Sequence, residues 1–114
     1  MNPYYNCIEI IGNLGKKPIV AYTNDSVAVT RIQIAVNEKY TNREGTVQEN
    51  IYWFTALLYG ELAERANQYL DKGDAVFVRG PLRMRSYEVN GEKRSVWEIH
   101  VDKMVMLSSS KEKP

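Results

Sequence analysis

The side chains of this chain best suited to chemistry are rings, and they come at strand spacing. Nine consecutive positions read Ile51-Tyr52-Trp53-Phe54-Thr55-Ala56-Leu57-Leu58-Tyr59. Side chains on a strand point to alternate sides with a period of two. This stretch therefore sends Tyr52, Phe54, Ala56 and Leu58 one way and Trp53, Thr55, Leu57 and Tyr59 the other. One side can close a small core, and the other then presents an indole and a phenol outward. Trp53 and Tyr59 lie about 20 Å apart at ~3.3 Å per residue, too far to stack on each other but well placed to take two separate flat partners. A second segment sets Arg83, Arg85 and Tyr87 on one face at steps of two. Flat rings beside fixed cations match a polymer of flat rings and fixed anions, which is single-stranded nucleic acid; each base stacked on a ring is worth ~1–3 kcal/mol. The arginines can pair with phosphates or stack through their planar guanidinium groups.

Each of these residues has a plainer reading. A ring can fill a core or an interface, and Arg83 and Arg85 without Tyr87 beside them would be an ordinary solvated face. For Trp53, Tyr59 and Tyr87 the outward phase favours binding. Trp97 lies in the opposite phase to Glu98, and packing is the better reading there. Tyr4, Tyr5, Tyr22, Tyr52, Phe54, Tyr69 and Phe77 are read as core, edge or interface. Lys72 has two roles open to it, a phosphate contact or a favourable position at a helix C-terminus.

Catalysis has little to work with. One histidine, His100, and one cysteine, Cys7, cannot build a His/Cys metal cluster within one chain. Gly12-x-x-Gly15 lacks the rest of any phosphate-binding loop, and no acidic pair is marked for acid–base work. An enzyme is not expected, and neither a cofactor nor a metal is implied. His100 reads as solvent-facing or locally hydrogen-bonded.

The bulk composition bounds the fold. A length of 114 residues suits one domain, and 44% apolar residues support a modest core. Eight Tyr and two Trp against two Phe favour rings with a polar edge, as at a wet interface. The net charge is only +1, from 15 basic and 14 acidic side chains. Duplex binders carry a clear basic excess, so either the cations are segregated onto one face or stacking supplies much of the affinity. Cys7 sits in an apolar run and is read as a buried, inert thiol. No apolar stretch approaches the ~20 residues of a membrane span, and the N-terminus has no signal pattern. A cytoplasmic setting without a membrane partner is expected.

The elements that must position the rings follow from periodicity and turn residues. Residues 7–11 read as a strand punctuated by Gly12-Asn13-Leu14-Gly15, with a short extended piece at 19–22 and a turn at Asn24-Asp25-Ser26. A long strand follows, with Val27 and Val29 in one phase and Ile32, Ile34 and Val36 in the other. The slip at Thr30-Arg31 predicts a bulge or sharp bend. Asn42-Arg43-Glu44-Gly45 marks a hairpin tip, with Tyr40 just before it, and the aromatic strand runs over 50–59. Gly60 breaks it. Leu62, Ala66, Tyr69 and Leu70 then fall at helical spacing before Lys72-Gly73. Strands are predicted over 75–78 and 82–89, then a type I′ turn at Asn90-Gly91 and one return strand over 93–107. This is an all-β domain with one helix between the third and fourth strands. A five-stranded Greek-key OB barrel fits best, ahead of a β-sandwich. The domain covers 1–107, and 108–114 reads as a short polar tail.

Several of these residues together resemble the bacterial single-stranded DNA-binding protein family over residues 6–107. They are Ile11-Gly12-Asn13-Leu14-Gly15 with Pro18, Trp53 through Leu58-Tyr59-Gly60-x-Leu62-Ala63-Glu64, Tyr69-Leu70-x-Lys72-Gly73, and Gly80-x-Leu82-Arg83-x-Arg85. The resemblance implies an OB fold, commonly a homotetramer with a dimer as the other option, that wraps single-stranded DNA without sequence preference in replication, repair, recombination or DNA uptake. It maps the family's stacking aromatics onto Tyr40, Trp53, Tyr59 and Tyr87. Two departures accompany it. Phe54-Thr55 replaces a frequent basic or imidazole pair, and Glu61 stands where lysine is common, so weaker or more salt-tolerant binding is expected. The chain also stops at Ser108-Ser109-Ser110-Lys111-Glu112-Lys113-Pro114 without an acidic tip, so recruitment of replication proteins by that route is not expected. The alternative is an OB-fold protein–protein adaptor of a replication restart complex, which has no need of the aromatic set. An RNA-binding OB domain is the third option.

Overall fold

A computed structural model describes residues 3–108. The elements run β1 (Ile8–Leu14), β2 (Ile19–Tyr22), β3 (Ala28–Thr41), β4 (Val47–Tyr59), α1 (Glu61–Tyr69), β5 (Ala75–Gly80), β6 (Leu82–Val89), β7 (Glu92–His100) and β8 (Lys103–Met106). They form one sheet in the order β6-β7-β4-β3-β1-β5-β8, with β2 on β3. All pairs are antiparallel except β4 with β7, which is parallel. The ladder does not close on itself. Its two ends are drawn together because β7 lies on β4 while β8, the continuation of the same chain, lies on β5. The fold is the expected OB type, with one helix between β4 and β5, but its barrel is loose.

The predicted single return strand over 93–107 is therefore two strands. The division has a local cause. The Val101 N–H donates to Leu57 O at 2.9 Å and the Asp102 N–H to Arg79 O at 2.8 Å, so the chain leaves β4 and passes to β5. The predicted break at Gly12 is likewise absent, since β1 continues to Leu14. A side chain at Gly12 would run into Ala35 O and Ile34 Cγ2, so the glycine lets β1 cross close to β3.

The expected slip at Thr30-Arg31 does not occur. The β3–β4 register is unbroken from Val29↔Tyr59 to Thr41↔Val47. Ala28, Thr30, Ile32 and Ile34 are all buried on one side of β3. Thr30 holds a core position because its hydroxyl donates to Ala63 O in α1 at 2.9 Å, which removes the cost of burying an unpaired hydroxyl. The core is completed by Ala56 and Leu58 from β4, Val76 and Val78 from β5, and Ile99 from β7, with Ala63, Ala66 and Leu70 covering it from the helix side. Glu61 and Glu64 occupy the first helical turn, where the positive end of the helix favours them. The residue that costs the chain a familiar cation thus contributes to helix stability.

The turns follow their residue types. Asn42 Oδ1 accepts from the Glu44 and Thr46 N–H groups at 3.0 and 2.9 Å. Asn90 and Gly91 both have positive φ, 52° and 82°, as a type I′ hairpin requires. Cys7 is only half-buried, because it precedes β1 rather than lying within it. Of the expected polar tail, Ser108 is tied to Ala75 by two hydrogen bonds; residues 109–114 lie outside the described residues.

Candidate nucleic-acid interface

Alternation places Trp53, Thr55, Leu57 and Tyr59 on the outer face of β4, and the pairing extends that face across four strands. Gln33 on β3, Thr55 on β4, Glu98 on β7 and Arg83 on β6 lie in one row. Arg31, Leu57 and His100 form the next row. Residues directly opposite in a ladder share a face, so Arg83, Arg85 and Tyr87 join Trp53 and Tyr59 as predicted. Trp53 is 58% exposed, Tyr59 44% and Tyr87 38%.

Tyr40 is also exposed, at 49%. It alternates with Ile32, Ile34 and Val36, however, and so lies on the core-side phase of β3, in the part of the hairpin beyond those residues. The structure brings Trp53, Tyr59 and Tyr87 onto one face, and Tyr40 stands on the other phase of the β3–β4 arm. Lys72 is exposed in the loop after α1. It lies past the end of the helix, whose last turn holds no basic residue, so its helix-dipole role lapses. The neighbouring Gly73 N–H donates to Leu14 O at 2.8 Å, bringing this loop beside Gly15.

Gly15 is part of the site through what it lacks. A Cβ there would meet Cζ3 and Cη2 of Trp53, so the indole lies against a bare stretch of backbone. Lys16 and Gln33 line the same cleft. Gly15→Ala should displace the ring while leaving the core untouched. We expect the affinity for single-stranded oligonucleotides to fall by up to roughly tenfold, the scale of part of one stack, together with a shifted tryptophan emission and a nearly constant melting temperature. Unchanged emission and affinity would remove Gly15 from the site.

Tyr59 stacks on His100, with ring centroids 5.9 Å apart and planes at 22°. Burial, then the charge of Arg83, lowers the His100 pKa against the opposing charge of Glu98, and so favours the uncharged imidazole. Arg85 lies 5.7 Å from the Tyr87 ring centroid, a cation–π contact. Trp97, expected to pack, is 59% exposed, on the opposite face of β7 from Glu98 and across from Met84.

Sequence reasoning missed the centre of the face. Glu98 is 1% exposed. Its Oε1 accepts from Arg85 Nε at 3.1 Å, and its Oε2 accepts from Arg85 Nη2 at 2.9 Å and Arg31 Nη2 at 3.4 Å. Hydrogen bonding from Arg85 holds the Glu98 carboxyl below the usual carboxylate range against the opposing effect of burial, aided by the charges of Arg85, Arg31 and His100. A carboxylate with a folded pKa below its unfolded one stabilises the fold above the unfolded value, and that contribution is lost as pH falls through the folded value. The difference in melting temperature between the wild type and Glu98→Gln should therefore be largest near neutral pH and should close as pH drops below about 4, the ordinary carboxylate range. A difference that stays constant with pH would show that the charge of Glu98 does not support the fold.

Separated rings and guanidinium groups thus share one face of a small OB domain. The single-strand binding protein family matches residues 5–107. The single-stranded DNA-binding protein of Xanthomonas campestris pv. campestris is 36% identical over 103 residues, covering 90% of this chain and 60% of that protein. The protein of the same name from Neisseria meningitidis serogroup A is 34% identical over 108 residues, covering 94% of this chain and 62% of the relative. Among solved structures, a deletion mutant of the single-stranded DNA binding protein from Thermus aquaticus superposes with a TM-score of 0.78 at 29% identity, over 91% of this chain and 51% of that one. Plasmodium falciparum SSB in complex with ssDNA superposes with a TM-score of 0.84 at 25% identity, over 95% of this chain and 100% of that one. The chain belongs to the single-strand binding protein family. It spans about 60% of the length of the curated relatives it matches.

Proposed function

We propose that this chain coats single-stranded DNA without sequence preference, by stacking bases on Trp53, Tyr59 and Tyr87 and contacting phosphates through Arg83, Arg85 and Lys72. Tyr40 adds a further ring along the hairpin arm. The observation that carries this reading is the exposure of three rings on one sheet face beside arginines. A face of that kind binds by stacking and charge, and every base offers a π-face, so the sequence of the strand matters little. Such coating protects strands during replication, repair, recombination or DNA uptake in a bacterial cytoplasm. A protein–protein adaptor has no need of this face, and no observation favours that reading here.

The test uses intrinsic fluorescence. Trp97 is exposed on the other face, so it would blur the signal, and Trp97→Phe leaves Trp53 as the reporter. Titration of that variant with oligo-dT should strongly quench the emission. Absence of quenching at saturating oligonucleotide and low salt would refute the reading.

Self-association is part of the proposal. Ile11, Phe77 and Val105 lie side by side across β1, β5 and β8, with Ile11 and Val105 exposed. An apolar stripe on an outer sheet face suits burial against another copy. A homotetramer is the proposed assembly, and a dimer the lesser one; sizing by light scattering distinguishes both from a monomer.

A further inference from the structure

We infer that Glu98 is a built-in counter-anion of the DNA-binding face: it holds the Arg31 and Arg85 guanidinium groups in place and cancels one of their two charges. The inference rests on the stacking reading above and adds to it the residue that sets its electrostatic share.

Glu98 is the partner of Thr55 across the β4–β7 ladder, so it lies between Trp53 and Tyr59 in the direction of β4. It forms the floor of a polar cleft of about 310 Å³ lined also by Gln33, Thr55, Tyr87 and Val96. The two arginines reach it from opposite sides, Arg31 from β3 and Arg85 from β6, while remaining about half exposed themselves. A buried carboxylate under two half-exposed guanidinium groups has two effects. Hydrogen bonds from Arg85 Nε and Nη2 to the carboxylate fix the direction of its planar fork, so less freedom is lost when a phosphate arrives. The carboxylate also already occupies the Nε and Nη2 donors of Arg85, which leaves a passing strand facing a net single positive charge rather than two. Thr55 adds no cation to this row. Its hydroxyl instead donates to Gln33 Oε1 at 3.2 Å. The centre of the face therefore binds chiefly by stacking, and its charge is held down from within. Glu98 is a positioning residue, acting through the arginines.

The experiment measures log affinity for a dT oligomer against log salt for wild type, Glu98→Gln and the double variant Glu98→Gln/Arg85→Gln, with melting temperature followed in parallel. Each phosphate newly neutralised on a single strand steepens the slope by about 0.7. Glu98→Gln should steepen it by that amount and bind more tightly at low salt, a change that loss of a merely structural residue would not produce. The double variant removes the pair whole and should lose the gain, returning to the wild-type slope. A folded Glu98→Gln with an unchanged or shallower slope overturns the inference. Should Glu98→Gln fail to fold, the double variant decides: a slope shallower than wild type by about 0.7 shows Arg85 acting on phosphate independently of Glu98 and also overturns it. Wild-type protein that does not bind dT at all refutes the binding reading itself, a result distinct from either of these.

Discussion

Alanine at both Trp53 and Tyr87 should lower affinity for oligo-dT by roughly 10²-fold or more at fixed salt. Each base–aromatic stack contributes ~1–3 kcal/mol, and every ~1.4 kcal/mol is a tenfold change. The two residues stand on different strands, β4 and β6, which are not adjacent in the sheet, so their effects should be close to additive. The loss at Tyr87 also removes the ring beside Arg85, and with it the cation–π contact. Both rings are exposed, so neither substitution opens a cavity, and surface changes of this kind move stability by only about 0.5 kcal/mol. Fluorescence polarisation of a labelled dT oligomer reads the affinity, and thermal melting confirms that the fold survives. Retention of wild-type affinity by the folded double variant would remove the stacking face from the mechanism.

Leu58→Ala and Tyr59→Ala produce opposite phenotypes from adjacent positions. Leu58 is fully buried against Thr30 on the core side of β4, and Tyr59 is exposed beside His100 on the other. Truncating a buried leucine costs ~2–5 kcal/mol in lost transfer energy and cavity, a large share of the ~5–15 kcal/mol that holds a domain together. Leu58→Ala should therefore lower the melting temperature by on the order of 10 °C or more while the folded fraction keeps its affinity. Tyr59→Ala should melt close to wild type and lose the equivalent of one stack. Urea denaturation and polarisation titrations separate the two. If folded Leu58→Ala loses as much affinity as Tyr59→Ala, the division of β4 into a core side and a binding side is wrong.

Much of this arrangement was legible in the sequence because it depends on a period of two. The alternation in residues 51–59 assigned both sides of β4, and the steps of two at Arg83, Arg85 and Tyr87 put these three on one side of their strand; the register through β7 sets that side beside Trp53 and Tyr59. The Asn90-Gly91 turn was readable because only a few residues adopt positive φ in succession. Arg31 was missed for an identifiable reason. Thr30 looks too polar for a core position, so the apolar pattern seemed to change phase at Thr30-Arg31; its hydroxyl is satisfied by Ala63 O, a partner in α1 that strand periodicity cannot reveal. With the phase unbroken, Arg31 falls on the face of Trp53 and Tyr59. Glu98 was hidden for a related reason. Its partners Arg31 and Arg85 lie 67 and 13 residues away in the chain, and only the register of β3, β4, β6 and β7 brings them together. The division of the last strand at Val101-Asp102 depends on backbone hydrogen bonds to β4 and β5, which leave no mark on side-chain types. Tyr40 owed its place to family resemblance more than to spacing, and its phase on the opposite side of the arm is something that resemblance did not convey.

The His100 imidazole stacked on Tyr59 bears on the conditions under which the protein works. His100 is the one side chain of the described binding face whose ordinary titration range lies near physiological acidity, and its surroundings push that range further down. A modest drift in cellular acidity therefore alters the charge of the face less than a free imidazole would. Grip on the strand would answer more to the ionic milieu, through the arginines, than to protons.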